Sequence, residues 1–341
     1  MSSLIVLFLS LLLSLAITPL VIIFASRKKI VYPPSTSTIH KRPIPLLGGV
    51  IVWVSFFTVL WFFYPVRKEL FGIFIAATLV FSVGLFDDLK KGVSSYLRFF
   101  IQVFASLIIV SAGIVFTFLP NTWWGKTGEY LLSIIWIVGI CNAYNMLDGL
   151  DGLAVGAGVI NAFFFFIIAR ITQQSAVAAL AASLAGTCLG LLFYNFKPAK
   201  IFLGSAGSTF IGFILAVISI QGNWAQDNVI ALSVPILILG IPIFDVAITT
   251  IVRIRNGQVR TIREWFDYKG RDHFHYMLLN FGIPIMPLVL FLYALMICLG
   301  LSAIVLFTAS FIDALLLIVQ AVFILTALFL FASLKRQLKT P

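Results

Sequence analysis

The chain has 341 residues, 61% of them apolar and only 10% charged, with a mean hydropathy of +1.12. Those proportions exclude a soluble core inside a water-facing shell and describe a chain dissolved in lipid. The formal net charge of +11 does not mark a nucleic-acid binder, because its placement follows membrane orientation, and the three cysteines, Cys141, Cys188 and Cys298, all lie in apolar runs with neither a disulfide framework nor a zinc spacing.

The first apolar run, Leu4–Ala25, stops at Arg27-Lys28-Lys29. It lacks a basic leader and a clear cleavage site, so a retained helix is expected. A polar stretch, Pro33–Arg42, carries His40 and Lys41 and precedes Pro43-Ile-Pro-Leu-Leu-Gly-Gly. Leu47–Tyr64 and Leu70–Phe86 form the next two spans, the second ending in Asp87-Asp88-Leu-Lys90-Lys91. Tyr96–Leu119 leads to a loop, Pro120–Glu129, that places Trp123 and Trp124 at an interface.

Tyr130–Leu147 delivers the stretch around which the chain is organised, Asn142-Ala-Tyr-Asn-Met-Leu-Asp-Gly-Leu-Asp-Gly-Leu-Ala-Val-Gly156. Asn142, Asn145, Asp148 and Asp151 recur at a spacing of three, which on a helix lets them drift around one face. Ionisable groups beside hydrocarbon are costly, and a row of four acceptors points to a functional site rather than a solvated turn. Leu153–Thr172 and Ser175–Phe196 follow, then a loop, Lys197–Ser208, whose small residues Gly204, Ala206 and Gly207 offer backbone N–H groups to an anion. Thr209–Gly222 is the shortest span; Val229–Val252 carries Asp245 near its end; Arg253–Asn280 is polar; Ile283–Phe307 and Phe311–Leu334 close the chain.

The expected fold is therefore an all-α integral membrane protein, one polytopic domain over residues 1–341 with about eleven transmembrane helices and a basic cytoplasmic loop at 253–280. Alternating the loops puts 19 of the 23 lysines and arginines on one side, which places the N-terminus outside and the C-terminus in the cytoplasm. Eight of the twelve acids share that side. Carboxylates among so many cations suggest a metal and phosphate site at the inner membrane face, built on cytoplasmic loops.

Asp87 and Asp88 are adjacent carboxylates at a helix end, able to bind Mg²⁺ or to divide the roles of base and cation holder, with Lys90 suited to phosphate. His273 and His275 sit in Arg271-Asp-His-Phe-His-Tyr276; with Arg253 and four further cations nearby in sequence, they fit phosphate oxygens better than a metal. A basic loop lying on anionic lipid headgroups is the plainer alternative.

Together these residues carry a resemblance. Asn145-x-x-Asp-Gly-x-Asp-Gly-Leu-Ala-x-Gly, the Asp87-Asp88 pair, Lys41-Arg-Pro-x-Pro-x-x-Gly-Gly, Phe202-Leu-Gly-x-Ala-Gly-Ser and His273-x-His occur in the order of the polyprenyl-phosphate N-acetylhexosamine-1-phosphate transferases. The chain looks most similar to the bacterial branch that loads N-acetylglucosamine-1-phosphate onto undecaprenyl phosphate in cell-envelope polysaccharide synthesis. The resemblance implies a Mg²⁺-dependent transfer, with Mn²⁺ as the alternative ion, from a UDP-sugar at the inner (cytoplasmic) membrane, with UMP released. It implies that Asp87 activates the lipid phosphate beside Asp88, that Asn145 ligates metal, and that Asp148 and Asp151 serve the nucleotide site together with Asn142. Phe202 matches a partner for uracil, and Lys41, His273 and His275 match groups around the phosphates. A phosphate monoester is already largely ionised at neutral pH, so the need for a base is small.

Two positions depart from the pattern. Ser205 stands where the family carries a metal-ligating Asp, and Tyr276 where it usually carries a further His. A neutral hydroxyl is a poor substitute for a hard anionic oxygen, so lowered activity is expected. A non-catalytic lipid-phosphate or UDP-sugar binding homologue is the first alternative and an anion transporter the second. A homodimer is left open, and no nucleic-acid partner is expected.

Overall fold

The structure, a computed structural model, describes residues 2–33, 42–64, 67–90, 92–261, 264–265, 268, 270, 272–280, 282–306 and 310–337. Lys41, one of the expected phosphate-binding residues, lies outside them, as do Arg263, Lys269 and Arg271. The chain divides into two compact units, Met1–Gly222 and Asn223–Pro341.

The first unit holds α1 (Ser2–Arg27), a two-stranded ribbon of β1 (Val31–Tyr32) and β2 (Ile44–Pro45), α2 (Gly48–Phe63), α3 (Arg67–Lys90), α4 (Ser95–Ser111), α5 (Trp123–Leu147), α6 (Leu153–Ile171), α7 (Ser175–Asn195) and α8 (Gly204–Gln221). The centre of this unit is α8, which is apolar on all sides and buried at every residue from Ala206 to Ile220, with α2, α3, α5, α6 and α7 packed around it. Two polar contacts within the bundle join helices: Ser14 Oγ donates to the Thr187 carbonyl at 2.9 Å, and Trp136 Nε1 donates to Ser219 Oγ at 2.7 Å.

The second unit holds α9 (Asn228–Ile238), α10 (Gly240–Arg255), α11 (Phe274–Leu279), α12 (Ile285–Val305) and α13 (Phe311–Gln337). Between α9 and α10 the axis bends by 80°. Proline accounts for the break: Pro235 and Pro242 flank it, each without an N–H, and Pro242 is tolerated because it sits in the first turn of the new helix.

Among the described residues, eight helices are long and apolar enough to cross a membrane, or nine if the bent pair is one span. The chain is thus a largely helical, multi-pass membrane protein. The details differ from the sequence pattern in four places. The span expected over Tyr96–Leu119 ends at Ser111. Residues after it fold back instead, with the Leu119 N–H donating to Glu129 Oε1 at 2.9 Å. The loop expected over Pro120–Glu129 is mostly helix, because Thr122 caps α5 by accepting the Gly125 N–H at 3.2 Å. The loop expected to run to Ser208 ends at Leu203, since its small residues form the first turn of α8. The single span expected over Val229–Val252 is the bent pair.

Candidate active site

The N-terminus of α8 is fixed from two sides. The chain before it is strapped to the end of β2 and the start of α2: the Phe202 N–H donates to the Pro45 carbonyl at 2.8 Å, and the Gly48 and Gly49 N–H groups donate to the Phe202 and Leu203 carbonyls at 2.9 Å. This brings together two motifs about 150 residues apart in sequence. The Phe202 ring meets Tyr32 edge to face, with centroids 6.1 Å apart. Gly204 then adopts φ +76°, a left-handed conformation, and turns the chain into the helix.

Asp88 closes the other side. Its Oδ1 accepts the Ser205 N–H at 2.8 Å and its Oδ2 the Ala206 N–H at 3.0 Å. The pair satisfies two of the orphan donors of the first turn and places an anion at the positive end of the helix. Gly84 makes this reach possible. It lies one turn before Asp88 on the same face of α3, where a Cβ would stand 2.6 Å from Ala206 Cα, so the helices touch backbone to backbone.

Asp148 and Asp151 arrive from α5. The helix ends at Leu147 with Asp148 as its cap, and Gly152, at φ +83°, starts α6. Only Asn142 and Asn145 of the row of four are therefore helical, and the two aspartates occupy the intervening turn. Burial pushes the Asp148 carboxyl up to about 7; the negative charges of Asp88 and Asp151 add to the rise, and a hydrogen bond from the Gly204 backbone opposes it. Asp151 accepts the Ala199 N–H at 3.2 Å and pairs with Lys197 Nζ at 3.3 Å, so it holds the loop leading to Phe202. Asn195, not singled out from sequence, completes the hold by accepting the Gly152 N–H at 3.2 Å and donating to the Ile201 carbonyl at 2.8 Å.

Asn145 Nδ2 donates to Ser208 Oγ at 3.1 Å in the first turns of α8. Asn142 turns elsewhere, its amide donating to Gln102 Oε1 on α4 at 2.7 Å. The adjacent carboxylates of α3 also part: Asp87 accepts the Val93 N–H at 3.1 Å and pairs with Arg98 at 3.2 Å, clasping the turn into α4. Lys90 Nζ lies 4.9 Å from the Phe86 ring centroid. The structure thus gathers Asp88, Asp148, Asp151, Asn145, Phe202 and Ser205 about one helix start.

That donor set is chemically selective. Among the described residues, no three His, Cys, Asp or Glu side chains stand together as a metal cage. Two carboxylates whose charges repel, Asp88 and Asp148, beside neutral oxygens of Asn145 and Ser205, suit a hard cation that completes its shell with substrate phosphate and water.

The second unit carries its own polar cluster. Arg253 is 1% exposed and binds Asp272 through two hydrogen bonds, Nε to Oδ2 at 2.8 Å and an Nη to Oδ1 at 2.7 Å, while its guanidinium lies 4.4 Å from the Tyr268 ring centroid. Burial alone would raise the Asp272 carboxyl; the Arg253 hydrogen bonds and charge outweigh it and hold that group below the usual range. The buried carboxylate Asp245 accepts the Phe274 N–H at 2.6 Å and lies 3.1 Å from His273 Nδ1. His275 is buried; among the described residues neither ring nitrogen has a hydrogen-bond partner, and its Nδ1 lies 3.7 Å from Asp245 Oδ2. Asp245 took no part in the sequence-based site; the signal that could have found it is a lone carboxylate inside an apolar run.

The pattern of glycosyl transferase family 4 matches residues 70–223, which include every member of the cluster at the start of α8. Over 307 residues the chain is 34% identical to a probable undecaprenyl-phosphate N-acetylglucosaminyl 1-phosphate transferase of Bacillus subtilis, covering 88% of this chain and 84% of the relative. It is 28% identical over 311 residues to a decaprenyl-phosphate N-acetylglucosaminephosphotransferase of Mycobacterium leprae, covering 81% and 76%. A phospho-N-acetylmuramoyl-pentapeptide-transferase of Chlamydia muridarum matches over 207 residues at 31% identity, covering 53% and 62%.

Proposed function

The chain belongs to glycosyl transferase family 4, and we propose that within it the chain transfers N-acetylglucosamine-1-phosphate from UDP-N-acetylglucosamine to undecaprenyl phosphate. An oxygen of the lipid phosphate attacks the β-phosphorus of the donor, the bond from that phosphorus to the bridging oxygen breaks, and UMP leaves with the electron pair. The product is a lipid-linked sugar pyrophosphate. The observation that carries this reading is the convergence of Asp88 and Asp148 on the first turn of α8 in a chain similar to polyprenyl-phosphate sugar transferases.

Such a transfer asks for alignment and charge neutralisation more than for covalent help. Asp88, Asp148 and the neutral oxygens of Asn145 and Ser205 would hold Mg²⁺, which would supply electrostatic stabilisation of the phosphoryl oxygens. Asp151 and Lys197 hold the loop that presents Phe202 to the uracil ring. Asp87, tied to Arg98, shapes the turn beside the site. Lys90 and Lys41 contribute positive charge for the phosphates. Ser205 supplies a hydroxyl where the resemblance expects a carboxylate, and turnover is correspondingly low.

The charge distribution supports eleven spans, an outer N-terminus and a site on the cytoplasmic side of the inner membrane. It also disfavours transport: Asp88, Asp148 and Ser205 lie at the ends of α3, α5 and α8, whereas transport sites lie near the bilayer midplane. Ser205 favours one second reading, a homologue that binds donor and lipid without turnover.

The test is an assay of the purified protein with undecaprenyl phosphate and a panel of UDP-sugars, with and without Mg²⁺. Transfer with UDP-N-acetylglucosamine preferred is expected. Preference for another UDP-sugar would overturn the donor, and donor binding without transfer would establish the second reading.

A further inference from the structure

The exit of α1 carries Arg27, Lys28 and Lys29, three consecutive cations that the transfer reaction leaves without a task. All three are exposed. Leu20, Ile23 and Phe24 are exposed as well, and with Arg27 they form one stripe at helical spacing along α1. An apolar stripe on a membrane-spanning helix faces hydrocarbon, so the point at which it turns cationic is headgroup depth. Helix capping does not account for the charges. The backbone ends α1 by itself, the Lys28, Lys29 and Ile30 N–H groups donating to the Phe24, Ser26 and Ala25 carbonyls at 3.0, 3.2 and 2.9 Å. Lys29 closes this turn at φ +57°, a left-handed conformation, so a lysine stands where the backbone favours glycine.

We infer that this turn docks on the phosphates of anionic phospholipid in the leaflet at that face, and that the docking braces the start of α8. The inference rests on the proposed function for its link to turnover and for making that leaflet the cytoplasmic one. Directly after the turn, the Ile30 carbonyl accepts the Leu46 N–H at 3.2 Å, and Val31 and Tyr32 pair with Pro45 and Ile44. Leu46 in turn bridges Phe202, whose N–H donates to the Pro45 carbonyl. A run of backbone hydrogen bonds thus joins the cationic turn to the residues that lead into Gly204 and Ser205. Holding the turn against a charged surface holds the ribbon, and with it the entry to α8. Helix α1 packs on α2 and α7, whereas Asp88 rises from α3. The phosphates that the stripe meets are therefore those of bulk phospholipid rather than of the substrate.

The experiment places the full-length protein in nanodiscs in which phosphatidylglycerol progressively replaces phosphatidylcholine. It reads turnover and the hydrogen–deuterium exchange of the peptides holding Leu46 and Phe202. Exchange there should slow severalfold as phosphatidylglycerol rises, turnover should rise with it, and high salt should reverse both. Arg27→Gln, Lys28→Gln and Lys29→Gln combined should abolish the response. Each cation near an anionic surface is worth about a fivefold preference, so Lys29→Gly alone should need about five times the phosphatidylglycerol for half the protection. It should melt no lower than wild type in phosphatidylcholine, because glycine suits the left-handed turn. Equal exchange in the two lipids, or a triple variant that responds as wild type does, overturns the inference. A lipid effect confined to the KM for undecaprenyl phosphate, without slower exchange, also overturns it, since the turn then serves the substrate. Absence of transfer in every disc would overturn the proposed function instead, and it is distinguishable because exchange does not depend on turnover.

Discussion

Asp88 accepts the backbone N–H of Ser205 at 2.8 Å, so the residue that departs from the family pattern is held, through its backbone, by one of the carboxylates at the site. The side chain at position 205 therefore cannot drift away from the cluster without breaking the cap of α8. Whatever that side chain lacks as a ligand, it lacks at a fixed place.

Replacement of that hydroxyl should be informative. Ser205→Asp would set a third carboxylate beside Asp88 and Asp148, and like charges in a partly buried site repel. In chelator the variant should melt below the wild-type protein, and added Mg²⁺ should raise its melting temperature more than it raises the wild type's. Turnover and its Mg²⁺ dependence should rise together, while calorimetric donor binding stays close to wild type. Equal turnover of the two forms at one Mg²⁺ concentration would show that the serine is no handicap.

Gly204 offers a test of geometry without changing charge. Alanine there would occupy a left-handed backbone, costing about 1–2 kcal/mol, and its Cβ would lie 2.5 Å from Asp88 Oδ2. Gly204→Ala should lower the melting temperature and displace Asp88 from the Ser205 and Ala206 amides, so turnover falls too. Melting and turnover both unchanged would mean that the cap at the start of α8 does not organise the site.

The pH dependence follows from Asp148. Burial, then the charges of Asp88 and Asp151, raise its carboxyl to about 7 in the folded protein, above its ordinary 3.8. The folded state therefore keeps a proton that the unfolded chain releases. The stability contributed by this group is complete below about pH 4 and is lost as pH rises through about 7. In metal-free protein, Asp148→Asn should become progressively more stable relative to wild type between about pH 5 and about pH 8. Thermal melts of both forms across that range check the sign; a constant difference would contradict it.

Much of this architecture was legible in the residues, and what was not has a physical cause. Long apolar runs announced the membrane helices, but hydropathy does not register where a helix bends, so the break between α9 and α10 at Pro235 and Pro242 read as one span. Small residues at 204–208 suggested a loop; they are instead the first turn of the most buried helix, chosen for close contact with Gly84. The spans read as ending at Leu147 and starting at Leu153 match the ends of α5 and α6, but the spacing of three did not show that Asp148 and Asp151 leave the helical face and occupy the turn between them. Pairing partners such as Asn195 with Gly152, or Asp245 with His273, depend on tertiary contact between distant segments and leave no local periodicity to read.

The proposed orientation has its own test. Cysteines introduced at Asn121 and Asn256 should react with impermeant reagents from opposite sides of the membrane, Asn256 from the cytoplasm. Labelling of both from one side would refute the eleven-span arrangement.

The most direct measurement is UMP released per lipid-linked product formed, in purified protein supplied with undecaprenyl phosphate, UDP-N-acetylglucosamine and Mg²⁺, for the wild-type chain and Asp88→Asn. Asparagine offers one acceptor where two amides donate, and it removes a charge from the proposed metal site. One UMP per product is expected for the wild-type chain, and a loss on the order of 10²–10³ in rate for Asp88→Asn, in protein that still melts cooperatively. An Asp88→Asn variant that turns over at the wild-type rate, or a wild-type chain that forms product without UMP, would contradict the proposed transfer.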